Sequence, residues 1–247
     1  YSVARTAFLW GLGANPEVFS GAAFEPLDTA VPQQFFATSM LLTPLLRGTL
    51  GWEADVPHDA VTLAPHMPAA WDTVRVERLP AGSGRYTVRL AQSDTLFAAT
   101  LERTAGRGVD TLRFSPALPL GARVSTVTLD GKPLRCATRD TGADVHVDCV
   151  APLGARADIA VHHTPGYQVL LPAPTPQRGE RSTALKLLSQ RRDGADLVLR
   201  VAGRAGWTYH LAVRTPHGRV LLDVVMPSGG DPVDDYTTRE VRVTGTK

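Results

Sequence analysis

The chain has 247 residues, enough for one large domain or two smaller ones. Hydrophobic residues make up 43%, and 26 basic residues face 24 acidic ones for a net charge of +2, so a disordered chain is excluded and no basic footprint for nucleic acid is present. The 22 glycines and 19 prolines favour many turns and a mainly β fold over a helical bundle.

Starting at Tyr1 without Met or a basic-then-apolar leader, the sequence reads as a piece of something longer, and an export signal cannot be assessed from it. Ser2–Leu12 and Pro32–Leu50 repeat apolar residues at helical spacing. In the second stretch Phe35, Met40, Leu42, Leu45, Leu46 and Leu50 fill more than one face, which predicts two mostly buried helices around a polar loop, Gly13–Asp28. Thr29 followed by Pro32 resembles a helix start, and Gly48 with Gly51 weakens the far end. Ala30–Leu50 approaches the length of a membrane span, but Gln33, Gln34, Pro44 and Arg47 are expensive in hydrocarbon, so no membrane is expected and the helix is read as buried in protein.

After Trp52 the period changes to two. Short runs are predicted as strands at Val61–Ala64, Thr73–Arg78, Arg85–Leu90, Leu96–Arg103, Val109–Phe114, Val124–Leu129, Leu134–Arg139, Val145–Val150 and Asp158–His163. Turn signals such as Ala81-Gly82-Ser83-Gly84 and Asp130-Gly131-Lys132-Pro133 separate them, and the spacing is that of a two-sheet antiparallel sandwich. Pro165–Arg181 reads as a linker or crossing loop. Beyond it, Leu185–Gln190, Leu197–Val201, Tyr209–Arg214, Val220–Val225 and Glu240–Thr244 form a second β section, with Gly229-Gly230-Asp231-Pro232 breaking the pattern before the last strand. The expected organisation is two helices over 1–51, a β-sandwich over 52–164, a linker over 165–181, and over 182–247 either a second small β domain or the completion of the sandwich.

The β portion has no Gly-x-Ser-x-Gly, no phosphate-cradling glycine loop and no zinc spacing, so neither a metal nor a cofactor is expected. His162 and His163 are adjacent on a strand and point to opposite faces, which denies them a shared ion, and His58 and His66 read as loop histidines. In the helical portion, the loop Asn15-Pro16-Glu17-Val18-Phe19-Ser20-Gly21 sets an acid between two helices, where an isolated glutamate is usually a solvated charge.

Four blocks, in order, alter that reading. Pro16-Glu17-Val18-Phe19-Ser20-Gly21, Ala30-Val31-Pro32-Gln33-Gln34-Phe35-Phe36-Ala37, Leu45-Leu46-Arg47-Gly48-Thr49-Leu50-Gly51-Trp52-Glu53 and Leu63-Ala64-Pro65-His66-Met67-Pro68-Ala69-Ala70-Trp71 resemble the C-terminal end of bacterial glycogen-debranching, amylo-α-1,6-glucosidase-like glycoside hydrolases. The resemblance covers about residues 8–90. It implies that the two helices complete an (α/α) six-hairpin toroid followed by a β-sandwich, and that the substrate is an oligosaccharide or polysaccharide. It implies that Glu17 is the general base that activates water, with its partner acid supplied by an upstream catalytic region. Gln33 and Gln34 match the family's Pro-Gln at the start of its last barrel helix and would fix the loop, cap the helix or bind a sugar hydroxyl, while Trp10 and Phe19 are candidates for an aromatic sugar platform. Trp52 and Trp71 are read as packing the sandwich against the barrel.

The two cysteines flank one turn. A loop spanning Thr141–Asp144 makes Cys136 and Cys149 direct cross-strand neighbours able to form a disulfide, whereas a two-residue loop at Thr141-Gly142 leaves them offset and reduced. A disulfide would favour a periplasmic or extracellular protein.

Overall fold

A computed structural model describes residues 2–10, 13–20, 23–230 and 235–244, and the side chains of 2–5 are not included. Leu12, Gly21 and the Asp231-Pro232 break lie outside the described residues. The protein is mainly β, with several antiparallel sheets and, among the described residues, two α-helices, α1 (Ser2–Leu9) and α2 (Phe35–Thr43). Among the described residues no helix is long and apolar enough to cross a membrane.

Helix α2 starts later than its apolar pattern suggests, because residues 31–34 are occupied elsewhere. The Glu17 amide donates to the Val31 carbonyl (2.9 Å) and the Gln34 amide to the Asn15 carbonyl (2.9 Å), holding Gln34 extended at φ −110°. Its far end opens into a π-helical turn, Pro44–Thr49, where Leu50 bonds back to Leu45; Pro44 has no amide hydrogen to continue the tighter ladder. The expectation of mostly buried helices is corrected within this chain: α2 and the π turn contain no buried residue. Gly51, at φ +68°, then turns the chain into the sandwich, and a Cβ there would run into the Ala64 carbonyl.

Alternating residues from there on build two six-stranded sheets. One contains Trp52–Asp55, Ala60–Leu63, Thr111–Phe114, Ala117–Leu118, Ala137–Asp140 and Val145–Pro152. The other runs in the order Thr73–Ala81, Gly84–Gln92, Leu96–Ala105, Arg156–His163, Val124–Leu129 and Lys132–Pro133. One core lies between them: Val61, Leu63, Leu112, Phe114 and Val147 from the first meet Tyr86, Val88, Leu101, Ile159 and Val161 from the second, and the rings of Phe114 and Phe97 lie 6.2 Å apart. Trp52 belongs to this core, donating from Nε1 to the Pro80 carbonyl and packing on Tyr86, so its assignment to a contact with a barrel is corrected. Among the described residues all strand pairs are antiparallel except Ala60–Leu63 with Thr111–Phe114, which run parallel.

The strands after the Pro-rich segment form two three-stranded sheets, Gln168–Leu170 with Thr208–Thr215 and Gly218–Val225, and Lys186–Asp193 with Asp196–Arg204 and Tyr236–Val243. Their core is separate, centred on Leu197, Leu199, Val201, Leu211, Val213 and Met226, and one residue of the sandwich segment, Leu120, joins it.

Candidate functional site

The loop between the helices is a short ribbon. Besides the two pairings above, Phe19 bridges Pro26 and the Ser20 amide donates to the Glu25 carbonyl. Asn15 anchors its base: its amide donates to Thr38 Oγ1 (3.1 Å) and its side chain to Thr6 Oγ1 (2.8 Å), tying both helices to one buried residue. On this ribbon Glu17 is exposed, its Oε2 accepting the Val31 amide at 3.4 Å.

Trp10 and Phe19 come together, with ring centroids 5.9 Å apart, and a third ring joins them: Phe24 lies 5.1 Å from Trp10 and stacks at 15° on Phe19. Phe24 belongs to none of the four blocks, although an aromatic seven residues beyond the loop glutamate is a usable signal. Gln33 is exposed, and Gln34 occupies the N-cap of α2 without a side-chain cap bond, so the capping role is not what its amide does. Trp71 is exposed and lines an apolar groove of about 240 Å³ with Leu42, Leu45, Leu46 and Met67, between the sandwich and the end of α2 with the π turn.

A second group of polar side chains lies on the first sheet, remote from the loop in sequence. Because Ala60–Leu63 runs parallel to Thr111–Phe114, the segments following both strands stay side by side, the Ser115 amide donating to Leu63 and the Ala117 amide to Pro65. Ala117 in turn pairs with His146. His66 thereby reaches His146, with ring centroids 5.1 Å apart, and Asp144 lies beside both: 3.4 Å from Nε2 of His146 and 3.9 Å from Nε2 of His66. The Ser115 hydroxyl donates to Asp148 Oδ1 at 2.6 Å and also contacts Nδ1 of His146 at 3.1 Å. This bond to Ser115 holds the Asp148 carboxyl below its usual value, burial opposes it, and Arg139 reinforces it. With its hydrogen directed at Asp148, Ser115 is not activated by the imidazole as a nucleophile would be.

By sequence His66 reads as a loop histidine, and no motif marks His146. The pattern Asp144-x-His146-x-Asp148 at the start of the predicted strand Val145–Val150, which sets His146 and Asp148 on the face turned from the core just after Asp144, is the available signal. Two other exposed histidines form local pairs: His58 with Asp55, whose carboxyl Arg113 and then His58 hold low, and His210 with Asp223. His162 is exposed and His163 buried, on opposite faces as expected. No protein-family model, curated protein or solved structure matches the chain, so the resemblance to glycoside hydrolases stands on the four sequence blocks alone.

Proposed function

We propose that this chain is the C-terminal portion of a glycoside hydrolase acting on α-glucosidic or related oligosaccharides. In this reading α1 and α2 close a helical toroid built by an upstream catalytic region of the same protein, and the β-sandwich buttresses it. The observation that carries the reading is the surface of α2, where Phe35, Phe36 and Met40 are 79%, 70% and 75% exposed and no residue is buried. A helix that is apolar on all sides is suited to enclosure by other helices, and wetting it forfeits the burial of several large side chains.

Glu17 then serves as the base that takes a proton from water, on a ribbon whose backbone pairing fixes its position. The upstream acid protonates the leaving oxygen, about 6.5–9.5 Å away in an inverting arrangement. The Trp10, Phe19 and Phe24 rings offer apolar faces to a pyranose, and Gln33 and Gln34 offer amides to its hydroxyls. The Cys136–Cys149 disulfide favours an exported, periplasmic or extracellular enzyme. A second reading, a non-catalytic β-sandwich module for carbohydrate binding or protein interaction, is favoured by the exposure of Glu17.

Activity on maltose, isomaltose and limit dextrin separates the two. The 247-residue chain alone is expected to hydrolyse none of them, because one carboxylate without its partner lacks proton donation to the leaving group. A polypeptide extended through its upstream region is expected to be active and to lose about 100-fold or more in kcat on Glu17→Gln. An active extended protein indifferent to Glu17→Gln would remove Glu17 from the mechanism, and turnover by the short chain would overturn the fragment reading.

A further inference from the structure

The arrangement of His66, Asp144 and His146 poses a hydrogen-bonding problem that a cation solves. Nδ1 of His66 lies 3.2 Å from the Ala64 carbonyl, which can only accept, so that nitrogen carries the hydrogen and Nε2 of a neutral ring keeps its lone pair. For His146 the chain of reasoning is one step longer. The single hydroxyl hydrogen of Ser115 goes to Asp148, so the contact between Ser115 Oγ and Nδ1 of His146 needs the ring N–H as donor, which again leaves the lone pair on Nε2. Both Nε2 atoms and the Asp144 carboxylate converge, with one ligand atom from each residue lying within 4.8 Å of the others. Three acceptors thus face one another: the Thr141 hydroxyl donates to Asp144 Oδ1 at 2.6 Å, but neither Nε2 offers the carboxylate a hydrogen.

We propose that His66, Asp144 and His146 bind a divalent transition-metal ion, with zinc as the ion best matched to two imidazoles and a carboxylate. Donors sharing a tetrahedral zinc at about 2.0–2.2 Å are about 3.4 Å apart. Nε2 of His146 lies 3.4 Å from Asp144 Oδ1 and Nε2 of His66 lies 3.9 Å from Oδ2, and with one ligand atom from each residue the separations, all within 4.8 Å, have to contract by about 1.4 Å at most. The movement falls to His66, which is exposed, and to half-buried Asp144, which would have to loosen its 2.6 Å bond from the Thr141 hydroxyl, while His146 is buried and fixed.

The surroundings are those of a ligand set held from behind. Each imidazole is oriented through Nδ1, one by a backbone carbonyl and the other by a serine backed by an aspartate, which fixes the tautomer that presents Nε2. The chain has no free thiol to compete for a soft ion. A cleft of about 270 Å³, lined in part by His66, Asp144, Tyr167 and Gln190, borders the cluster and leaves room for water or a small ligand as the fourth donor. The ion would also pin the turn whose Ala143 carbonyl accepts from Gln190 of the second β section, so its binding is expected to raise thermal stability.

The experiment is titration of the disulfide-intact chain, stripped with chelator, with zinc chloride followed by calorimetry and melting temperature, and with cobalt(II) followed by visible absorption. One zinc per chain, a raised Tm and the intense visible bands of low-coordinate cobalt are expected. His66→Ala and Asp144→Asn, both at accessible positions, are each expected to weaken binding at least 100-fold, and Ser115→Ala, which removes only an orienting group, about 10-fold. His58→Ala and His210→Ala should leave binding unchanged. Absence of zinc binding, with the histidines instead protonated as an ion-paired cluster around Asp144, would overturn the proposal. So would zinc binding that survives His66→Ala and Asp144→Asn in variants with wild-type circular dichroism.

Discussion

Tyr86 shows how narrowly some positions are specified. It is fully buried, and its hydroxyl accepts the Val109 amide at 3.0 Å, which lets the turn before strand Thr111–Phe114 enter the core with its donor satisfied. Gly108 is there because a Cβ would collide with that hydroxyl. Tyr86→Phe keeps the ring but strands a buried N–H, and is expected to cost about 1–3 kcal/mol in urea denaturation; a change below about 0.5 kcal/mol would show that water replaces the phenol. His163 makes a different residue-scale prediction. Burial first, and the neighbouring His162 second, hold its imidazole below the ordinary value, while the Thr164 carbonyl and Asp94 oppose them. A lowered folded-state value means that the unfolded chain binds the proton more readily, so stability is complete above about 6.5 and declines as pH falls through that value toward the folded one. Between about pH 7.5 and 5.5 the wild type should therefore lose more stability than His163→Asn, and parallel pH dependences for the two would refute this.

At the scale of elements, the hairpin Ala137–Asp140 with Val145–Pro152 pairs Ala137 with Asp148 and closes with the Thr141 amide on the Asp144 carbonyl. That register puts Cys136 opposite Cys149, with Cα atoms 4.6 Å apart and the disulfide formed. Thiol titration in denaturant without reductant should find no reactive thiol, and Cys136→Ala with Cys149→Ala should cost about 3 kcal/mol, as for a closed loop of this size. Two reactive thiols per chain would end the assignment. Helix α2 carries the opposite kind of feature, an apolar surface that this chain does not cover. Replacing Phe35 and Phe36 with Ser and Met40 with Gln should reduce self-association and dye binding while leaving Tm within a few degrees, because these side chains contribute little to any core present here. A large loss of Tm would mean that the helix is packed after all.

On the scale of the whole molecule, the two cores meet at few points. Leu120 follows the sandwich strand Ala117–Leu118 yet packs in the second core, where it pairs with Tyr167, whose hydroxyl donates to the Ala195 carbonyl. Gln190 donates to Ala143 at 2.7 Å, and Arg214 approaches Asp72 and Asp94 at 3.9 Å, contacts too exposed to add more than a few tenths of a kcal/mol each. Leu120 is then the main apolar rivet. Leu120→Ala should cost about 2–5 kcal/mol and remove hydrogen-exchange protection from Asp196–Arg204 and Thr208–Thr215 while Gly84–Gln92 keeps its own. Equal losses in both sections would show one cooperative unit instead.

What the sequence determined by itself was whatever depends on neighbours along the chain. The strands at Val124–Leu129, Leu96–Ala105 and Arg156–His163 follow from alternation of period two, and the opposed faces of His162 and His163 from the same geometry. The disulfide register needed only the length of one turn. The strand Trp52–Asp55 was not legible, because a single buried Trp followed by Glu53, Ala54 and Asp55 carries no alternation, and it exists through pairing with Ala60–Leu63. The start of α2 was misplaced because Val31 and Gln34 are held by Glu17 and Asn15 across the loop, a competition that helical periodicity cannot reveal. Tertiary structure alone decided the His66, Asp144 and His146 cluster. Its parts lie on segments brought together by a parallel pairing between Ala60–Leu63 and Thr111–Phe114, and a parallel neighbour is chosen by the packing of the whole core rather than by any turn that a sequence can display.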